Sequence, residues 1–357
     1  MKKITFVVGL LYFACACAES KPQSPDPTPN PEDTVQTTTP KNLLANVVGY
    51  LPTWKMSTYT PQWDKLTHIC VAFATIKTDG SLNLTDVNSR KSIVATAHSH
   101  NVKVLLSIGG GDGSTVFSDV ILTPSKRDKL ISQLTKVVAD FNLDGIDFDY
   151  EVWDGGSGGA SAKDLQRRTA LETCYRNLRD SLGSKKLITA AVTASWDNGG
   201  WGYYNCFNNT MHQYLDYVFL MIYDQTGPWA SSAVGQHADW NFYTKAIAHW
   251  LNNRALPKEK LVAGVPFYGY AFKSQNSALD ADGVGYSDIL KRYPNQDAHL
   301  KDNIDLVYYN GMPTIQQKAQ YVVDNELGGI MIWELSQDTP DTTRSLLHTI
   351  YNVVKPQ

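Results

Sequence analysis

The sequence predicts an α/β fold, a (β/α)8 TIM barrel, on three observations. Eight apolar, β-rich runs follow Leu43, and amphipathic helical stretches or long loops separate them. A chain of 357 residues has room for one large barrel. No Gly-rich phosphate fingerprint follows the first run, which argues against a doubly wound sheet, and no fixed-period repeat is present.

The chain opens on a segment with no place in a barrel. Lys2 and Lys3 precede an apolar run, Ile4 to Phe13, that is too short to span a bilayer, so residues 1–17 read as an export signal. Ala14-Cys15-Ala16-Cys17 follows. Ordinary signal cleavage accounts for it, but a Cys here resembles a bacterial lipoprotein processing site. Cys17 suits that better than Cys15, which would have Tyr12 and Phe13 just before it. Residues 18–41 carry Pro22, Pro25, Pro27, Pro29, Pro31 and Pro40 among polar residues; with nothing to bury, they form a stiff, solvated tether. The expected organisation is signal 1–17, tether 18–41 and barrel 42–357. It implies an exported monomer whose membrane contact is an N-terminal lipid anchor, at the bacterial cell surface or in the periplasm.

The expected strands are Ala45–Tyr50, Thr67–Ala74, Val102–Ile108, Gly145–Tyr150, Leu187–Thr193, Tyr217–Tyr223, Leu261–Pro266 and Gly329–Trp333. Helices are predicted at Lys126–Phe141, Ala162–Leu182, Asn241–Asn252 and Thr314–Asn325. A hydrophobic content of 43% is ample for a core, and a formal charge of −3 offers no polycation for nucleic acid. Nine Trp and nineteen Tyr suit a large core, or stacking against the C–H faces of sugars. Cys70 lies in an apolar strand and reads as inert, whereas a Cys174–Cys206 pair is left open. No Cys or His spacing suggests a metal.

In such barrels the chemistry lies where strands end. The fourth strand ends in acid: Asp144-Gly145-Ile146-Asp147-Phe148-Asp149-Tyr150-Glu151. Side chains alternate between faces, so Asp147, Asp149 and Glu151 share one face while Asp144 has the opposite parity. Neighbours in the row stand ~6.6–7 Å apart, and at an effective dielectric of about 20 two anions ~6.6 Å apart repel by roughly 2.5 kcal/mol. Retaining protons relieves this, by keeping one acid neutral near pH ~7 or letting two share a proton. A protonated carboxyl beside an ionised one is what general acid catalysis requires. A solvated acidic end or a hard-cation site is the other reading, but a cation site gathers more oxygen ligands close by. Here the surroundings are an apolar partner face, a preceding Gly, and Trp153 just beyond.

That stretch resembles the D-G-x-D-x-D-x-E signature of glycoside hydrolase family 18, the chitinases and their relatives. Other strand ends are similar to the family pattern: Tyr50 on strand one, Ser107-Ile108-Gly109-Gly110 on strand three, Met221-Ile222-Tyr223-Asp224 on strand six and Trp333 on strand eight. The resemblance implies that Tyr50 and Ser107 hydrogen-bond Asp147, that Tyr223 and Asp224 contact the N-acetyl sugar, and that Trp333 floors it. Alone, Tyr50 would read as a capped core tyrosine and Ser107 as a turn residue. Strand seven, Gly264-Val265-Pro266-Phe267-Tyr268-Gly269-Tyr270, departs from the pattern, with Tyr270 where Arg is common. The expected catalytic set is Glu151, Asp149, Asp147, Tyr223 and Asp224. The expected substrate-binding set is Trp333, Tyr50, Phe73, Ser107, Gly110, Met221 and Tyr268, with no metal and no cofactor.

The family mechanism, a substrate-assisted exception among retaining glycosidases, implies that Glu151 protonates the leaving oxygen while the substrate's acetamido oxygen attacks the anomeric carbon. Asp149 holds the acetamido N–H and shares a proton with Asp147. The implied partner is a polysaccharide or oligosaccharide containing N-acetylglucosamine. Three readings compete: a chitinase, an endo-β-N-acetylglucosaminidase acting on N-glycan cores, and a silent sugar-binding protein. Tyr150 before Glu151 and the Tyr223-Asp224 pair favour the first, and retention of Glu151 disfavours the third. Phe272 to Gly328 is too short for the full α+β insertion of many members, which predicts an open groove and internal cleavage.

Overall fold

The computed structural model describes residues 42–84, 87–152, 160–195, 202–229 and 233–356. The signal, the tether and Trp153 lie outside the described residues. Eight parallel strands form: β1 (Asn46–Pro52), β2 (His68–Ile76), β3 (Lys103–Gly109), β4 (Gly145–Asp149), β5 (Leu187–Thr193), β6 (Tyr217–Met221), β7 (Leu261–Pro266) and β8 (Gly329–Trp333). Consecutive strands pair, and β1 pairs with both β2 and β8, so the sheet closes into a barrel. Strands β5, β7 and β8 span the residues expected from sequence; the others shift by one or two residues at one or both ends.

The main helices are α1 (Val87–Ser99), α2 (Ser114–Leu122), α3 (Pro124–Asp140), α4 (Ala162–Leu182), α5 (Trp240–Asn252), α6 (Met312–Asp324) and α7 (Leu346–Val354). Local signals set their ends. Helix α3 starts at a Pro, whose missing N–H costs nothing in the first turn. Helix α4 opens on a capping box in which Ser161 and Asp164 satisfy each other's backbone N–H, and it stops at Gly183. Asp164 is fully buried and 3.4 Å from Arg167, whose Nε reaches Ser118 on α2 at 2.9 Å.

Alternation divides each strand between two environments. Outward residues such as Val47, Ile69, Ile146, Phe148 and Ile188 pack against the helices. Inward residues Val48, Tyr50, Cys70, Ala72, Leu105, Ala191, Phe219, Val262 and Met331 fill the barrel. Asp147 and Asp149 have the inward parity, so the acids of β4 end inside this layer rather than among the helices. Asp144, of the other parity, accepts from Val104 N at 2.7 Å and lies 2.8 Å from His98 Nε2.

After β7 the chain continues into Tyr268–Ala271, which pairs with Asp282–Gly285 and with Val307–Tyr308; Asn303–Ile304 completes a small antiparallel sheet. These strands are two to four residues long, with a short helix, Tyr286–Arg292, and one 3-10 turn, Ala298–Leu300, between them. The apolar run Leu306–Tyr309 is thus partly a strand, formed because the paired Tyr268–Ala271 edge supplies its hydrogen bonds. Cys70, Cys174 and Cys206 are separate buried thiols, so the Cys174–Cys206 pair is not formed.

Candidate active site

Asp147 is wholly buried, yet three hydroxyls serve its carboxylate. Tyr50 and Ser107 each donate to Oδ2 at 2.7 Å, and Thr189 donates to Oδ1 at 2.6 Å. The arrangement follows from register: Ser107, Asp147 and Thr189 are direct partners across β3, β4 and β5. Burial raises the pKa of Asp147, while the hydroxyls oppose the rise. Hydrogen bonds to a charged group contribute about 1.5–3 kcal/mol each, comparable with the several kcal/mol that burying an ion costs.

Asp149 has no such support. It is buried, and its Oδ1 has no hydrogen-bond partner among the described residues. Burial, then the charges of Glu151 and Asp147, push its pKa well above the carboxylate range. Its backbone carbonyl receives Gly110 N at 2.8 Å. That close approach needs glycines: a Cβ on Gly109 would fall 2.0 Å from the Asp149 carbonyl oxygen, and one on Gly110 2.7 Å from the Phe73 ring. Both also have positive φ, 105° and 79°.

Glu151 lies just past β4, half-buried. Its N–H donates to Ser114 Oγ at 2.7 Å, and that hydroxyl donates to Gly110 O at 2.8 Å, which ties the acid to the β3 loop. Its pKa is raised to about 7, first by burial in a crowded neighbourhood and then by the charges of Asp224 and Asp112. Near neutral pH such a group holds a proton that it can also release, as a general acid must.

Trp333 ends β8, edge-on to Tyr50 at 5.4 Å and stacked on Phe73 at 5.8 Å. Phe73, Met221 and Tyr223 pack on the same interior cluster. Asp224 follows β6 and accepts from Tyr268 at 2.6 Å and Tyr270 at 3.0 Å. Among the described residues no three His, Cys, Asp or Glu side chains are grouped as a metal site.

An acid poised near neutrality, a buried carboxyl with one oxygen unpartnered among the described residues and an aromatic cluster at the strand ends form a set suited to breaking a glycosidic bond. The model of the Glycosyl hydrolases family 18 matches residues 46–338. The chain belongs to this family. It is therefore a family 18 glycoside hydrolase, and the fold agrees: a chitinase from Bacteroides thetaiotaomicron superposes with a TM-score of 0.75 at 33% identity, covering 87% of this chain and 96% of that one. A chitinase-like effector of Moniliophthora roreri is 29% identical over 289 residues, 76% of this chain and 70% of its own length. Chitinase A1 of Niallia circulans is 26% identical over 298 residues, 69% of this chain; the match spans only 42% of that relative.

The family 18 site also draws on residues that the sequence reading did not select. Thr189 has the inward parity of β5, a readable signal, but its partner is visible only once β4 and β5 are in register. Ser114 opens α2, and His237 comes from a loop with no motif. The hydroxyl of Tyr268, one of the expected sugar contacts, donates to Asp224. A polar cavity of about 250 Å³ adjoins Trp333, with Trp54, Lys55, Ser287, Asp288 and Gln337 among its walls. Trp54 is 63% exposed, and Trp229, 52% exposed, stands edge-on to Tyr270 at 5.7 Å. Exposed indoles at a hydrolase mouth are suited to stacking on sugar faces.

Proposed function

We propose that this family 18 hydrolase cleaves β-1,4-linked N-acetylglucosamine chains, chitin or chitooligosaccharides, with retention of configuration. The observation that carries the reading is the unpartnered Oδ1 of buried Asp149 beside Glu151. A buried polar atom left without a hydrogen bond costs about 1–3 kcal/mol, and the N–H of a bound acetamido group would remove that cost. An N-acetylated sugar thus completes the site.

Glu151 gives its proton to the glycosidic oxygen as the C1–O bond breaks. The acetamido carbonyl oxygen bonds to C1 from the opposite face, forming an oxazolinium ion, and the free chain end departs as an alcohol. Asp149 holds the acetamido N–H and stabilises the positive charge. Asp147, anchored by Tyr50, Ser107 and Thr189, is the neighbour with which Asp149 shares a proton. The Glu151 carboxylate then takes a proton from water, whose oxygen displaces the acetamido oxygen and restores the β configuration. Tyr223 and Asp224 contact the N-acetyl sugar, and Trp333 lies beneath it. The small size of the sheet after β7, with strands of two to four residues, supports internal cleavage.

The test is product analysis on a series of N-acetylglucosamine oligomers, with an N-glycosylated protein in parallel. Cleavage to shorter oligomers that are first released as the β anomer is expected. Faster release of intact N-glycans would replace the substrate, and binding without cleavage would make the chain a sugar-binding member.

The proposal extends to location. Residues 1–17 direct export, Cys17 or Cys15 carries lipid, and residues 18–41 hold a monomeric barrel away from the membrane. Two membrane signals are needed for durable anchoring, which dual acylation of one N-terminal Cys supplies. Replacing both Cys15 and Cys17 is expected to move the protein from the membrane pellet to the soluble fraction; retention in the pellet refutes the anchor.

A further inference from the structure

Asp224 is held in an unusual way. Its backbone φ is 64°, in the left-handed region, and three groups converge on one carboxylate oxygen. Tyr268 donates to Oδ1 at 2.6 Å, Tyr270 donates at 3.0 Å, and His237 Nδ1 lies 3.1 Å away. Nε2 of His237 faces the Tyr268 carbonyl at 3.3 Å. A carbonyl only accepts, so Nε2 carries a hydrogen. Nδ1 then has two roles open to it: bare, it accepts the N–H of Asp224, 3.4 Å away; protonated, it donates to Oδ1.

The clamp is rigid by construction. Tyr268 and Tyr270 project from alternate positions of one short strand, and the fully buried His237 ring packs on both at 5.0 Å. The second oxygen of Asp224 receives no hydrogen bond among the described residues, and the side chain remains 34% exposed. One oxygen is thus fully engaged and the other is open.

We propose that Tyr270 and His237 are positioning residues of the hydrolase reaction, fixing Asp224 through Oδ1 so that its charge stands near Glu151 and its Oδ2 faces the sugar. The inference rests on the reading of Glu151 as the acid. The ionisable groups acting on Glu151 are Asp149, Asp112 and Asp224, all acids, opposed by the Gly111 N–H. Those around Asp224 are Glu151, Tyr268, Tyr270 and His237. The tyrosine donors bring no countercharge to Asp224, and a like charge nearby helps Glu151 retain its proton.

The test is the pH dependence of kcat/KM for a chitooligosaccharide, using the full chain, with Asp112→Asn as the reference for removing a charge. Tyr270→Arg sets a cation against Oδ1 and is expected to move the alkaline limb about 0.5–1 pH unit lower. Asp112→Asn is expected to move it the same way by less, since Asp112 is exposed. Tyr270→Phe removes a donor without adding charge. It is expected to leave the limb in place and lower kcat by about fivefold to tenfold, the effect of one hydrogen bond. His237→Asn retains an amide at the Nδ1 position and is expected to stay within about threefold of wild type, whereas His237→Gln, with its amide at the Nε2 position, loses about tenfold. A limb that shifts in Asp112→Asn but not in Tyr270→Arg, or equal losses in the two His237 variants with unchanged melting temperatures, overturns the clamp. Failure of wild type to cleave any oligomer overturns the proposed function instead.

Discussion

Glu151→Gln is expected to lower kcat on a chitooligosaccharide by about 10²–10⁴-fold, the usual contribution of a general acid. Glutamine keeps the shape of the side chain and has no proton to transfer. Oligomer binding should persist, because Trp333, Phe73 and the tyrosines that line the site are untouched. An aryl chitobioside with an acidic leaving group needs no protonation, so with it most of the first-step loss should be recovered. Wild-type activity should decline above pH about 7, where Glu151 gives up its proton. A largely active variant on the unactivated substrate ends the acid assignment.

The same substitution has a signed effect on stability. The folded-state pKa of Glu151 is raised above its unfolded value, so the folded chain binds the proton more tightly. That stabilisation is full below the unfolded pKa and is lost as pH rises through the folded value of about 7. The full shift would be worth about 3 kcal/mol, and solvent contact at this half-buried group reduces it to about 1–2 kcal/mol. Denaturant melts should therefore show Glu151→Gln gaining on wild type at alkaline pH and losing that gain in acid.

Asp149→Asn is expected to lower turnover by about 10²–10³-fold, the range for removing one group aimed at developing charge. Its signature differs from that of Glu151→Gln. In the proposed mechanism Asp149 acts on the acetamido group and the oxazolinium ion rather than on the leaving oxygen, so an activated leaving group should not rescue the variant. The neutral amide also removes the charge that Asp149 and Glu151 impose on each other. If the activated substrate restores Asp149→Asn as fully as Glu151→Gln, the two acids do not have separate roles, and the substrate-assisted route fails.

The contrast between legible and illegible features follows the range of the interaction. Strands β5, β7 and β8 were readable to the residue because each is a short apolar run bounded by polar or turn residues. The capped helix α4 was equally clear, since a capping box and a terminal Gly are local events. The small sheet after β7 was harder. Its strands of two to four residues are too short for a period and exist because they pair with the Tyr268–Ala271 edge.

By itself, the sequence determined the barrel and the inward file of Asp147 and Asp149 leading to Glu151, because alternation along one strand needs no distant contact. Only the tertiary structure decided the company these acids keep. Tyr50, Ser107 and Thr189, which are 97, 40 and 42 residues from Asp147, meet it through inter-strand register. The same holds for Asp149, whose Oδ1 has no hydrogen-bond partner among the described residues, and for Asp224, held by Tyr268, Tyr270 and His237. Side-chain alternation is a property of neighbouring residues, whereas a hydrogen bond or a raised pKa depends on which atoms barrel closure brings within a few ångströms.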